Sequence, residues 1–102
     1  MASRLDLHEA FCTILGTRNV YFQPPASVKM QYPAIRYSLR NYDGIFANNS
    51  PYVRTPSYEV ILIDKNPESE FVDKILQLPY CSFDRPYAKD NLNHWVFTIY
   101  NT

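Results

Sequence analysis

Two stretches of strict alternation constrain this chain more than anything else in it. From Pro33 to Asn41, Ile35, Tyr37 and Leu39 alternate with Arg36, Ser38 and Arg40. From Ser57 to Asp64, Tyr58, Val60 and Leu62 alternate with Ser57, Glu59 and Ile61. A period of two marks strands with one buried and one wet face. An antiparallel register that sets Tyr37 opposite Val60 also sets Ile35 opposite Leu62 and Leu39 opposite Tyr58. All six apolar side chains then share one face, while Arg36, Arg40 and Glu59 share the other. A slip of one residue would turn every side chain over, so the pairing is strongly specified.

The remaining elements follow from capping and periodicity. Residues 3–16 read as a helix with Ser3 as N-cap and Asp6 in the capping-box position. Leu7, Phe11, Ile14 and Leu15 fall on one side, Leu5 and Cys12 near its edges, and His8 and Glu9 toward the polar side. Gly16 is a natural stop, because glycine takes the left-handed conformation that ends helices. Asn19–Gln23 is a short strand ended by Pro24-Pro25, and Ala26–Gln31 is a connector. Asn66 and Pro67 open a second helix, with Glu68 and Glu70 where the helix dipole favours anions. Phe71, Val72, Ile75 and Leu76 form its apolar stripe. Tyr80–Arg85 reads as a strand with Cys81 and Phe83 on one face, Pro86–Asn93 as a polar turn, and His94–Asn101 as the closing strand. Trp95, Phe97 and Ile99 share one face of that strand, and His94, Thr98 and Tyr100 the other. The order is α-β-β-β-α-β-β. The predicted class is α+β: one domain over residues 1–102, a mainly antiparallel sheet of four to five strands, and two helices packed on one face.

Composition narrows the functional classes. The 102 residues suit a single core, and 46% hydrophobic with 20% charged residues is ordinary globular composition. Ten basic residues balance ten acidic ones, so no charge excess points to nucleic acid or an acidic membrane surface. No run reaches the length of a membrane span, and the N-terminus lacks a signal-peptide pattern. Two cysteines, Cys12 and Cys81, are no disulfide framework; they read as reduced, buried thilos of a protein folded in a reducing cytoplasm. Nine Tyr, six Phe and one Trp stand against only two Gly. Tyr pairs an apolar face with a polar tip and suits protein interfaces.

Residues 42–56 are the irregular part. Asp43-Gly44 and Asn48-Asn49-Ser50-Pro51 are turn signals, yet Ile45, Phe46, Tyr52 and Val53 are more apolar groups than a solvated loop carries. Two readings stand: a loop that orders when a neighbour arrives, or a hairpin extension that folds back onto the sheet.

No constellation in the sequence carries catalysis. Cys12 and His8 are one helical turn apart, but core-type residues flank the thiol. There is no Cys-x-x-Cys, His-x-x-x-His or HExxH pattern for a metal, and two isolated glycines build no phosphate cradle. Asp84, Asp90 and His94 near a hairpin read as solvated, and Glu68, Glu70 and Asp73 as helix-start anions. Arg36, Arg40 and Arg54 near Tyr42 and Tyr52 have the look of a single-strand nucleic-acid binder. Glu59 on the same face and a net charge of zero favour a cross-strand salt bridge or a protein interface equally well. No catalytic residue, cofactor or metal site is predicted.

The layout as a whole resembles a known family. The N-terminal helix, the Tyr32-Pro33-Ala34-Ile35-Arg36-Tyr37 strand, the long loop, the Tyr58-Glu59-Val60-Ile61-Leu62 strand, the second helix and the closing strand pair are similar to tail terminator proteins of long-tailed bacteriophages. These are also called tail-completion or tail-to-head joining proteins. The stretches Leu78-Pro79-Tyr80-Cys81-Ser82-Phe83 and Asn91-Leu92-Asn93-His94-Trp95-Val96-Phe97 look like small proteins of the phage and prophage head–tail region. The resemblance implies a non-enzymatic virion component, made in the host bacterial cytoplasm. It implies a homo-oligomeric ring, usually a hexamer, that caps the tail tube, ends tube polymerisation and joins tail to head. The implied partners are further copies of the chain, the tail-tube protein and a head connector or head-closure protein, with DNA only as passing cargo and no membrane. A ring needs two different faces that meet head to tail; edge strands and a long arm over 42–56 can supply one. Tyr42, Phe46, Tyr52 and Arg54 are the candidate anchors on that arm, and Arg36 and Arg40 the candidates for a neighbour's carboxylates. Another head–tail connector or head-closure component, or a small cytosolic enzyme or ligand-binding domain, are the alternatives.

Overall fold

The two alternating stretches form the spine of the molecule. A computed structural model of the chain describes residues 4–25, 29–47 and 50–100, and over 41–56 the backbone only. The elements are α1 (Arg4–Leu15), β1 (Val20–Phe22), β2 (Ala34–Ala47), β3 (Ser50–Asp64), α2 (Phe71–Leu76), β4 (Cys81–Lys89) and β5 (Leu92–Tyr100). They build one five-stranded sheet in the order β1-β2-β3-β5-β4. The class is α+β as expected. The sheet is mixed, because β1 runs parallel to β2 while every other pair is antiparallel.

The β2–β3 register is the one the alternation dictates, with Tyr37 opposite Val60, Ile35 opposite Leu62 and Leu39 opposite Tyr58. It then continues, past a shift between Leu39 and Asn41, through Tyr42 opposite Pro56 and Gly44 opposite Arg54 to Ala47 opposite Ser50. The described backbone of 42–47 and 50–56 is therefore a hairpin extension that continues the β2–β3 ladder. β5 pairs with β3 only from Ser57 to Asp64, and β1 with β2 only from Ile35 to Tyr37. Beyond those points the hairpin is a two-stranded arm. Fourteen extended residues in β2, at roughly 3.3 Å each, account for a molecule 50 Å long and only 26 by 24 Å across.

The core lies on one face of the sheet. Leu7, Phe11, Cys12 and Leu15 of α1 and Ile75 of α2 join Ile35, Tyr37, Tyr58, Val60, Leu62, Phe97 and Ile99 in a single buried cluster. Both helices thus cover one face. Phe11, Phe22 and Tyr58 surround the Tyr37 ring at centroid distances of 5.3, 5.0 and 5.9 Å. Gly16 ends α1 with φ of +73°, its N–H donating to the Cys12 carbonyl at 2.8 Å. Ser3, the expected N-cap, lies outside the described residues.

Two boundaries differ from expectation. α2 starts at Phe71, not at Pro67. Asn66 caps a turn instead of a helix: its Oδ1 accepts from the Glu68 N–H at 3.0 Å, while its own N–H donates to Asp64 Oδ1 at 3.1 Å. Short Asp and Asn side chains offer the backbone these local bonds in place of helical ones. The β4 strand runs through Pro86 to Lys89, so the connection to β5 shrinks to Asp90 and Asn91. Their φ values of 56° and 63° suit the two-residue hairpin turn whose central residues both lie in the left-handed region. Pro86 is accommodated because β4 is an edge strand, where a missing N–H donor leaves no ladder bond unmade. A register shift between Phe83 and Arg85 further interrupts that edge.

Candidate functional site

No helix of the buried cluster packs on the opposite face of the sheet, which carries most of the remaining chemistry. The segment before β2 reaches one side of it, the Gln31 N–H donating to the Tyr21 hydroxyl at 3.4 Å. The ladders align its side chains in rows. Tyr21, Arg36, Ile61, Val96 and Arg85 form one row across all five strands. Ser38, Glu59, Thr98 and Ser82 form the next, and Ala34, Ile63, His94 and Tyr87 a third. This face is not simply wet: Ile63, Val96 and Thr98 are buried, Ile61 is half-buried, and Arg36 and Arg40 are exposed.

Of the sequence-predicted interface residues, Arg36 and Arg40 share this face. Arg40 Nη1 donates to Thr98 Oγ1 at 2.9 Å, reaching past the Glu59 position. The cross-strand salt bridge to Glu59 is not formed. The shift between Leu39 and Asn41 leaves Arg40 without a cross-strand partner, and its side chain reaches Thr98 on the same face. Among the described residues Arg18–Glu9 and Arg85–Asp84 form ion pairs at 2.8 and 2.7 Å, and neither involves Arg36, Arg40 or Glu59. The backbones of Tyr42, Phe46, Tyr52 and Arg54 lie on the two-stranded arm; their side chains lie outside the described residues.

Two features of the open face escape a reading by alternation. Arg85 sits opposite Val96, and Tyr87 stacks on His94 with centroids 4.4 Å apart and rings 10° from parallel. Alternation from Cys81 and Phe83 would set Arg85 and Tyr87 on the helix side; the register shift between Phe83 and Arg85 turns both to the open face, so the sequence pattern carries no signal for them. His94 Nδ1–H donates to the Leu92 carbonyl at 3.2 Å, and burial lowers its pKa from the usual histidine value.

On the helix side, the hydroxyl of Tyr37 is a hub. It accepts from Arg4 Nη1 at 3.1 Å and donates to His8 Nδ1 at 2.8 Å, while the Arg4 guanidinium lies 4.3 Å above the Phe22 ring. His8 was expected on the polar side of α1 and is instead half-buried against the sheet. Desolvation, then the neighbouring Arg4 charge, hold its pKa below the usual value. Its Nδ1 is thus engaged by Tyr37, away from the Cys12 thiol. Cys12 is buried and borders a shallow groove of about 310 Å³ with Glu9, Thr13, Gly16, Thr17 and Arg18. Cys81 is half-buried, not fully buried, and its burial pushes the thiol up to about 11. Among the described residues, no three His, Cys, Asp or Glu side chains gather as a metal site, and no helix is long and apolar enough to cross a membrane.

No family profile, curated protein or solved structure matches the chain. The geometry itself must carry the functional reading. It brings together a charged and partly apolar sheet face on which no helix packs and a two-stranded arm.

Proposed function

We propose that this protein is a structural component of a long-tailed bacteriophage virion, a tail terminator that assembles as a ring on the end of the tail tube and joins it to the head. The observation that carries the proposal is the arm. β2 and β3 continue as a two-stranded ladder well past the last pairing of β5 and β1. A two-stranded ladder lacks the third strand that independent stability usually needs, and a neighbouring copy or the tube can supply it. The sheet face away from the helices, with Arg36 and Arg40 exposed on it, gives the subunit a second, different surface, as a head-to-tail ring requires. The work of such a protein is docking, with no substrate transformed.

Deletion of residues 44–53 tests the assignment of the arm. The shortened chain is expected to fold, since the buried cluster of the described residues is complete without 44–53, and to lose both ring formation and tube capping. Particle images and mass in solution, with and without purified tail-tube protein, read the two losses separately. A deleted chain that still closes rings and caps tubes overturns the role of the arm. Binding to a portal-side connector but not to tube protein would move the chain to the neighbouring class of head-closure components.

A further inference from the structure

We infer that the open sheet face of one copy docks the acidic segment Glu68–Asp73 of the next, so that subunits meet face to back through complementary charge. The inference rests on the ring reading and names the contact that would close it. On the open face, Arg36 is exposed and Arg40 donates to the neutral Thr98 hydroxyl. No ion pair given for the described residues neutralises either one. Glu59 sits between them and lowers the local excess, and Arg85 is already neutralised by Asp84. The complementary patch is on the other side of the molecule. Glu68, Glu70 and Asp73 are all exposed, on the turn that leaves β3 and on the first turn of α2, which packs on the helix-covered face. None of the three has an ion pair among the described residues either.

The two patches are opposite in sign and lie on opposite sides of one subunit. Two copies meeting by their open faces would set Arg36 and Arg40 against their own kind. The favourable contact therefore joins unlike surfaces, which is the heterologous kind that closes into rings. A net charge of zero leaves no overall repulsion between copies to oppose it. Each patch also carries an apolar group. Ile61 is half-buried between Arg36 and Val96, and Leu76 is 38% exposed one helical turn from Asp73. A charged rim around an apolar contact is how specific interfaces are commonly built.

Two charge-reversed chains test the pairing. One carries Arg36→Glu and Arg40→Glu; the other carries Glu68→Lys, Glu70→Lys and Asp73→Lys. Each alone sets like charge against like and is expected to sediment as a monomer at concentrations where the wild type is assembled. Mixed one to one, every face meets an opposite segment again, and the assembled species is expected to return with the two chains alternating. Circular dichroism checks that each variant is folded. If either fails to fold, the wild type still decides: its apparent Kd is expected to rise about tenfold or more between low and high salt, as surface charge pairs are screened. A variant that assembles alone, a folded mixture that stays dissociated, or a salt-independent wild-type Kd overturns the pairing while leaving the ring intact. A wild-type chain that stays monomeric at high concentration overturns the ring itself.

Discussion

Replacing Tyr37 with Phe isolates one hydroxyl at the centre of the fold. The side chain is 1% exposed, and its ring touches Phe11, Phe22, Tyr58 and His8. The ring stays in the variant, so the apolar packing is preserved and the change is confined to two hydrogen bonds. One, from Arg4, is charge-assisted; the other goes to a neutral His8 nitrogen. A neutral bond contributes about 1 kcal/mol net and one to a charged group about 1.5–3. Arg4 and His8 are only half-buried and regain water, which pulls the total down. The expected cost is about 2 kcal/mol, which for a domain this size lowers Tm by roughly 10 °C. Tyr37→Ala adds the lost ring and is expected to cost about 4–5 kcal/mol. Urea unfolding followed by fluorescence gives both values, with the slope unchanged if only the native state is affected. A double-mutant cycle of Tyr37→Phe with Arg4→Met then extracts the Arg4 bond, expected at about 1 kcal/mol of coupling. Tyr37→Phe within 0.5 kcal/mol of wild type, together with no coupling, would refute the hub.

Other outcomes follow from single groups. His8 and His94 both titrate below the usual histidine value in the fold, so the unfolded chain binds their protons first as pH falls. Stability is then full above the unfolded value near 6.5 and declines as pH drops below it; Tm against pH should show this, and the double variant His8→Gln, His94→Gln should flatten the slope. Gly16→Ala is expected to cost about 1 kcal/mol by thermal melting, since a Cβ there meets open space and the penalty is the left-handed φ alone. Cys81, with its thiol at about 11, should react slowly with iodoacetamide at neutral pH and close to tenfold faster for each pH unit up to 10; a fast, pH-independent reaction would refute its burial.

The spine of the fold was readable in advance because Ile35, Tyr37 and Leu39 match Tyr58, Val60 and Leu62 in only one register. The end of α1 was readable because Gly16 has no better use than a helix stop. The start of α2 was not, since Asn66-Pro67 is written with the same letters whether it caps a helix or closes an Asx turn. Pro86 ends a strand in sequence terms, and only the edge position of β4, a tertiary fact, lets the strand pass through it. The parallel pairing of β1 could not be read from three residues. Of the predicted interface residues, Arg36 and Arg40 were correctly placed together by alternation alone. The link from Arg40 to Thr98 was hidden, because it depends on an irregularity in the ladder.

The interrupted rim of β4 decides how copies of this molecule can be crowded. A proline and a misfit in the ladder leave no unbroken row of donors and acceptors for a foreign strand to add to. Lateral propagation of the sheet through β4, the first step toward a fibril, is thereby opposed, and the open edges are left to the two-stranded arm. Copies packed side by side at high density can stay countable, each keeping its own sheet.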